Sequence, residues 1–364
     1  MSGGALNPET QTARGYAAPR AKARLEPYSF ERRRPGARDV EIEIHFCGIC
    51  HSDIHQARDE WGGAIFPMVP GHEIAGRVRS VGKAVTRHRE GDWVGVGCMV
   101  NSCRTCDPCR AGLEQYCEPG ANLTYNSHDR DGSPTYGGYS DHIVVDEDFV
   151  LAIRHDPKQL AAVAPLLCAG ITTYSPLRHW KVAAGAKVGV VGLGGLGHVA
   201  VKLAHALGAE TVLFTRTAAK TADAKRLGAN AVVLSTDESA LQVHQRSFDF
   251  ILDTVAAAHD VNRYLSLLRR DGVHCLVGVP DRPLAVAGIN LIMRRRSLVG
   301  SLIGGIAETQ EMLDFCAYHE VVSDVEVIPI EQVNEAYERV LRSDVRYRFS
   351  IDMKSLGAAA PKRP

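Results

Sequence analysis

Cys103, Cys106, Cys109 and Cys117 stand as C-x2-C-x2-C-x7-C within fifteen residues, and no other short stretch of the chain restricts its fold as strongly. Four thiolates at this spacing can close a tetrahedral site around Zn2+, with metal–sulfur bonds of about 2.3 Å. A lobe near residue 110 is therefore expected to be tied by metal rather than by an apolar core. Four cysteines can also hold an iron–sulfur cluster, but the familiar runs for that cofactor use other intervals, typically with proline after the last cysteine. Tetrahedral sulfur coordination admits both, and zinc is the reading adopted.

The chain has 364 residues, more than a single hydrophobic core usually serves, so two domains are expected. Its 42 basic and 42 acidic residues cancel, which leaves no overall field to attract nucleic acid or an anionic membrane. A small molecule is the expected partner. The stretch Met1 to Glu26 lacks an apolar signal region, and no run approaches the eighteen or so apolar residues that span a bilayer. A cytoplasmic location is expected, and there the clustered cysteines among the ten are better read as metal ligands than as disulfides.

From Val40 to about Val150, short alternating runs such as Glu41–Phe46 and His142–Asp146 are separated by glycine-rich turns, which predicts a β-rich unit with long loops. After Cys168 apolar strands alternate with helical segments. The strands expected are Lys187–Val191, Thr211–Thr215, Ala231–Leu234, Phe248–Leu252, Val273–Gly278 and Leu298–Ser301. That rhythm predicts a parallel sheet covered on both faces, a doubly wound α/β fold. Beyond Gly305 come a helix over Thr309–His319, a strand over Glu326–Ile328, a helix over Ile330–Leu341 and a last strand over Tyr347–Asp352. Lacking the βαβ rhythm, this tail is assigned to the first domain. The expected division is 1–169 with 307–364, and 170–306. Only Gly357 to Pro364 reads as disordered.

Gly192-Leu193-Gly194-Gly195-Leu196-Gly197 follows one predicted strand and opens a helix from His198. G-x-G-x-x-G in that context is the dinucleotide fingerprint. The first glycine permits the turn, the second lets a pyrophosphate approach, and the third allows close helix packing, with the phosphates on the positive helix end. At the end of the next strand an acidic residue would select NAD by bonding the ribose 2'-hydroxyl. Thr215-Arg216-Thr217 and Lys220 stand there instead, with no carboxylate between Glu210 and Asp223. Arg216 can hold a 2'-phosphate bidentately and Lys220 can add a point charge, so NADP(H) is expected.

A second metal constellation lies in Cys47-Gly-Ile-Cys50-His51-Ser52-Asp53-Ile-His55, in Gly71-His72-Glu73 and at Cys168. A Cys2His ligand set leaves a fourth position open, as catalytic zinc requires. These motifs, with Cys168-Ala-Gly-Ile-Thr172 and Asp344-Val-Arg-Tyr-Arg-Phe349, resemble the zinc-dependent medium-chain dehydrogenase/reductase superfamily. Within it they are similar to the cinnamyl alcohol dehydrogenase-like NADP(H)-dependent alcohol dehydrogenases. The resemblance runs from about Arg14 to Asp352.

It implies a Rossmann sheet of six strands beside a GroES-like catalytic domain carrying a structural zinc lobe. It implies two zinc ions, one held by Cys103, Cys106, Cys109 and Cys117 and the other by Cys50, His72 and Cys168, with Glu73 beside the metal as an exchangeable ligand. Cys47 becomes a packing residue. Ser52 then bonds the substrate oxygen, His55 ends a proton relay, and Asp53 orients His72. His51, Thr172, Val255, Gly278, Val279, Ser301 and Ile303 fall along the cofactor. The implied reaction is hydride transfer between NADP(H) and an alcohol or aldehyde in a homodimer.

Plant lignin-forming members carry a tryptophan shortly after the last lobe cysteine, and this chain has Gly120 to Tyr125 there instead. A broad preference for aromatic and medium-chain substrates is therefore expected over dedicated cinnamaldehyde reduction. Trp61, Cys98 and Leu302 fall near pocket positions. The rival readings are an NADP(H)-dependent quinone or enone reductase, whose members generally lack both metal sites, and a non-catalytic zinc- and NADPH-binding protein, which would not need Ser52 and His55.

Overall fold

The computed structural model describes residues 10–280 and 282–357. Two compact units emerge. One comprises Met1–Cys168, Gly305–Asp314 and Asp324–Pro364; the other comprises Ala169–Gly304 and Phe315–Ser323. The disorder expected for the last eight residues falls almost entirely outside the described region.

The first unit is built on a seven-stranded sheet. Val325–Pro329, Arg348–Asp352, Asp39–Gly48, Ile74–Val81, Trp93–Val96 and Leu151–Ala152 lie side by side in that order, and His142–Asp146 also pairs with Asp39–Gly48. The run Val40, Ile42 and Ile44 faces the core, as period-two alternation requires. Glu41 is buried among them, satisfied by Ser80 Oγ at 2.8 Å, Gln11 Nε2 at 3.2 Å and Arg79 Nη1 at 3.3 Å. Because Arg348–Asp352 runs antiparallel to Asp39–Gly48, the end of the chain is brought beside the turn that carries Cys50. Arg348 thereby reaches Glu73 across 275 residues of sequence.

The second unit holds a parallel six-stranded sheet. Its order is Ala231–Leu234, Glu210–Thr215, Lys187–Val191, Phe248–Asp253, Leu268–Leu276 and Ser297–Gly300. Val191, Val212, Phe214, Phe248, Ile251 and Leu265 form its core. Strand order reverses beside Lys187–Val191, the switch point where open α/β sheets bind ligands.

Two expectations need correction. The strand expected from Val273 begins at Leu268, since Leu268 pairs with Phe248 before a register shift, with Arg269 to Asp271 exposed between the paired stretches. The tail after residue 306 does not stay whole: Phe315–Ser323, which takes in the end of the helix Ile306–Tyr318 and the short segment after it, groups with the second unit. There Phe315 packs on Tyr174 at 5.5 Å, and Lys202 Nζ donates to the Val322 carbonyl at 2.7 Å.

Candidate metal centres and dinucleotide loop

The helix His51–Ala57 begins on Cys50, and Asp53 at its third position accepts the Cys50 amide at 2.9 Å, one half of a capping box. The cap that starts the helix thus fixes a sulfur. Asp53 is fully buried. Its Oδ1 accepts from His72 Nδ1 at 3.1 Å and from the Gly71 amide at 3.0 Å, and its Oδ2 also accepts from Tyr139 Oη at 3.3 Å. Holding His72 by Nδ1 leaves Nε2 for a metal. Tyr125 stacks on the same imidazole, with centroids 5.7 Å apart.

Ligand atoms of Cys50, His72, Glu73 and Cys168 lie within 4.8 Å of one another, all four residues buried. Cys50 Sγ and Cys168 Sγ are 3.9 Å apart. Two thiolates on one tetrahedral zinc stand about 3.8 Å apart given bonds of about 2.3 Å, so the donor set fits. Cys50 is held well below the ordinary thiol range by its hydrogen bond to Cys168, aided by His72 and Arg348 against the effect of burial. Cys98 is drawn down chiefly by a hydrogen bond to the same Cys168 thiol. Cys47 is buried outside the ligand group, its thiol pushed up by burial.

Burial pushes the Glu73 carboxyl up to about 8 even though Arg348 faces it. One carboxylate oxygen bonds Arg348 Nη2, while Oε2 is buried with no hydrogen-bond partner among the described residues. A Cβ on Gly48 would lie 1.9 Å from that Oε2, so only glycine leaves the carboxylate its room. Neither Arg348 nor the tyrosine pair Tyr125 and Tyr139 was assigned a role from sequence. Arg348 lies in the Asp344–Phe349 motif, and a charged residue inside an apolar terminal strand was the available signal.

Ser52 Oγ lies 3.6 Å from Cys50 Sγ. His55, one turn further along the helix, has Nδ1 2.5 Å from Glu60 Oε2 and its ring stacked on Trp61 at 5.0 Å. His51 is exposed, its ring 6.2 Å from that of His55.

In the lobe, Cys103, Cys106, Cys109 and Cys117 also gather within 4.8 Å, with Cys103 Sγ and Cys109 Sγ 3.9 Å apart. The Thr105 and Cys106 amides donate to Cys103 Sγ at 3.4 and 3.2 Å and hold it down to about 5. Cys117, crowded by neighbouring thiols, is pushed up to about 12, chiefly by burial. Four sulfurs this close resist ionising together, and a divalent cation relieves that conflict. All four positions belong to sulfur, which leaves this site closed.

In the second unit Gly192 has φ +91, a conformation that favours glycine, and a Cβ on Gly197 would meet the Gly192 carbonyl at 2.0 Å. A Cβ on Gly194 would meet nothing within 4 Å. Turn, close packing and free approach are the three roles expected of the fingerprint, and the loop fits a pyrophosphate. The following helix, Gly197–Ala206, begins one residue before the expected His198, whose amide donates to the Gly194 carbonyl at 3.1 Å. Lys220 Nζ donates to the Leu193 carbonyl at 2.7 Å, which sets its charge on the loop. Leu193 and Thr215 are buried, Arg216 and Thr217 exposed, and Gly195 and Leu196 half-buried.

Val255 Cγ2 would lie 3.0 Å from a Cβ on Gly192, and the Val255 carbonyl 2.5 Å from one on Gly278, so these residues meet at the loop. Thr172 is buried in the helix Ala169–His179. Ser301 donates to the Leu276 carbonyl at 3.1 Å, Ile303 has φ +33, and Val279 and Leu302 are exposed.

Two family models match: the alcohol dehydrogenase GroES-like domain over residues 36–155 and the zinc-binding dehydrogenase domain over residues 195–318. The chain is 58% identical to the aldehyde reductase YahK of Escherichia coli over 338 residues, 92% of this chain and 97% of that one. With NADP-dependent alcohol dehydrogenase C 1 of Mycolicibacterium smegmatis it shares 56% identity over 346 residues, 95% of this chain and 99% of the relative. A solved cinnamyl alcohol dehydrogenase of Sorghum bicolor superposes with TM-score 0.90 at 43% identity, covering 97% of this chain and all of the other. The cinnamyl alcohol dehydrogenase of Helicobacter pylori complexed with NADP(H) gives 0.88, also at 43% identity, covering 95% and 99%.

Proposed function

The chain belongs to the zinc-dependent alcohol dehydrogenases of the medium-chain dehydrogenase/reductase superfamily, and from that premise we propose that it interconverts aldehydes and primary alcohols, aromatic or medium-chain, using NADP(H). The observation that carries this reading is the buried Cys50, His72 and Cys168 set with Glu73 beside it, three ligands and one exchangeable position. Zinc held there supplies Lewis acidity toward the carbonyl oxygen, and NADPH supplies the hydride. Asp53 keeps His72 in the ligating tautomer. Ser52, beside Cys50 Sγ, donates its hydroxyl proton to the substrate oxygen during reduction, and His55 replenishes it from solvent.

The zinc count is two per chain, the second bracing the cysteine lobe. Arg216 and Lys220 hold the 2'-phosphate, a role supported by the position of Lys220 on the glycine loop. The enzyme is a cytoplasmic homodimer joined through the cofactor unit. Supporting this, Ser297–Gly300 ends the parallel sheet, and Val279, Ile289, Ile292 and Met293 are exposed in the same unit. Among the described residues no single helix is long and apolar enough to cross a membrane.

The reading is tested by following NADPH and NADH oxidation with benzaldehyde, cinnamaldehyde and hexanal. Turnover faster with NADPH is expected. No oxidation with any aldehyde would overturn the enzyme class, and faster turnover with NADH would overturn the cofactor assignment.

A further inference from the structure

The second unit contains a buried polar node with no part in the chemistry above. Asp253 ends the strand Phe248–Asp253 and is fully buried. Its Oδ2 accepts from His259 Nε2 at 2.7 Å and from His274 Nε2 at 3.0 Å, and its Oδ1 accepts the Val255 amide at 3.1 Å. The Asp253 carbonyl takes the amides of Val277 and Gly278 at 3.0 and 3.3 Å. One residue thus ties together two strand ends and the turn that leaves the first.

That turn presses on the glycine loop. Thr254 Oγ donates to the Val191 carbonyl at 2.7 Å and would lie 3.2 Å from a Cβ on either Gly192 or Gly197. Val255 fills the space beside Gly192 and Gly278. His259 closes the turn on itself: Nδ1 lies 2.9 Å from the Ala257 carbonyl while Nε2 faces Asp253. Both partners are acceptors only. Both bonds therefore exist together only when each ring nitrogen carries a proton, that is, in the imidazolium.

We propose that His259 is a positioning residue of the dinucleotide site: its imidazolium clamps residues 254–257 against Gly192, Gly197 and Gly278, so that the grip on NADP(H) loosens when that proton is lost. This rests on reading the glycine loop as the dinucleotide site. Neutral imidazole keeps only one of the two bonds, and the turn is then held at one end.

The surrounding groups favour the charged form. The bond to Asp253 raises His259 above the ordinary histidine value, helped by the nearby Asp260. Burial opposes ionisation of Asp253, but hydrogen bonds from His259 and His274 hold it below the ordinary range. Tyr264, packed 5.9 Å from His259 and 6.1 Å from His274, is pushed up by burial and stays neutral. Cys275, next to His274, is pushed up to about 12 by burial. A group raised on folding contributes fully below its unfolded pKa and loses its contribution as pH rises through the folded one, so the window lies above about 6.5.

The test uses the full-length, zinc-loaded protein. The NADPH dissociation constant is measured by cofactor fluorescence from pH 7 to 9.5, a range above the 2'-phosphate pKa of about 6. Loss of one charge-assisted bond should weaken wild-type binding by about tenfold across that range. His259→Gln, which keeps a donor but does not titrate, should bind at pH 7 as weakly as wild type does at pH 9.5, with a flat profile. In ligand-free wild type, hydrogen exchange at residues 254–260 should accelerate over the same window beyond the intrinsic base-catalysed rate, a readout that needs no variant. An unchanged pH profile in His259→Gln, or exchange that tracks only the intrinsic rate, overturns the clamp. Absence of NADPH binding at any pH overturns the dinucleotide reading itself, and the proposal falls with it.

Discussion

Arg348→Met isolates the most consequential contact outside the ligand set. The arginine side chain is 4% exposed and Glu73 is fully buried, so deleting the guanidinium strands a carboxylate that has one oxygen already without a partner among the described residues. Burial alone lowers the pKa of Arg348, but Glu73, with Cys50 and Cys168, holds it above the ordinary value. Removing one member of a buried pair costs about 3–5 kcal/mol, most of it the penalty of the charge left behind. At about 2–4 °C per kcal/mol for a unit of this size, the melting temperature should fall by roughly 6–20 °C. Adding Glu73→Gln removes the stranded charge and should restore most of the loss. Thermal unfolding of the zinc-loaded proteins by circular dichroism, at one scan rate and at pH 9, above the value of about 8 to which burial pushes the Glu73 carboxyl, reads both. A single variant within about 2 °C of wild type, or a double variant as unstable as the single one, would refute the charge-compensation argument.

Asp53→Asn replaces an acceptor of four hydrogen bonds and should lower zinc affinity at the Cys50 site by about 10–100-fold, read by chelator competition; unchanged affinity would count against the orienting role. Cys117→Ser should empty the lobe and lower the melting temperature while leaving kcat per folded molecule near wild type; a large kcat loss at full stability would place the lobe in the chemistry instead. Arg216→Asp should shift the NADPH-to-NADH ratio of kcat/KM by about tenfold or more toward NADH, the equivalent of one charge-assisted bond.

What could be read from sequence was what the chain encodes at short range. The lobe cysteines, the glycine loop and the Cys50 to His55 run each lie within fifteen residues of sequence or fewer, so spacing alone carries much of their geometry. The joining of Cys50, His72 and Cys168 came from resemblance, since ligands 118 residues apart leave no periodic trace. Arg348 with Glu73 is the same problem at longer range, because that pair exists only through the antiparallel register of the last strand. The Asp253 node was missed because His259 and His274 look like isolated histidines until Leu268–Leu276 is laid parallel to Phe248–Asp253. The tail was misassigned at Phe315–Ser323 because helical periodicity shows a buried face without saying which unit buries it.

Zinc analysis paired with NADPH oxidation in wild type and Cys50→Ser tests the reactive metal site most directly. Wild type should carry two zinc ions per chain and reduce an aldehyde, and Cys50→Ser should keep the lobe zinc, lose the other, and oxidise no NADPH. A Cys50→Ser protein that holds a single zinc yet turns over at the wild-type rate would contradict the assignment of Cys50, His72 and Cys168 as the reactive centre.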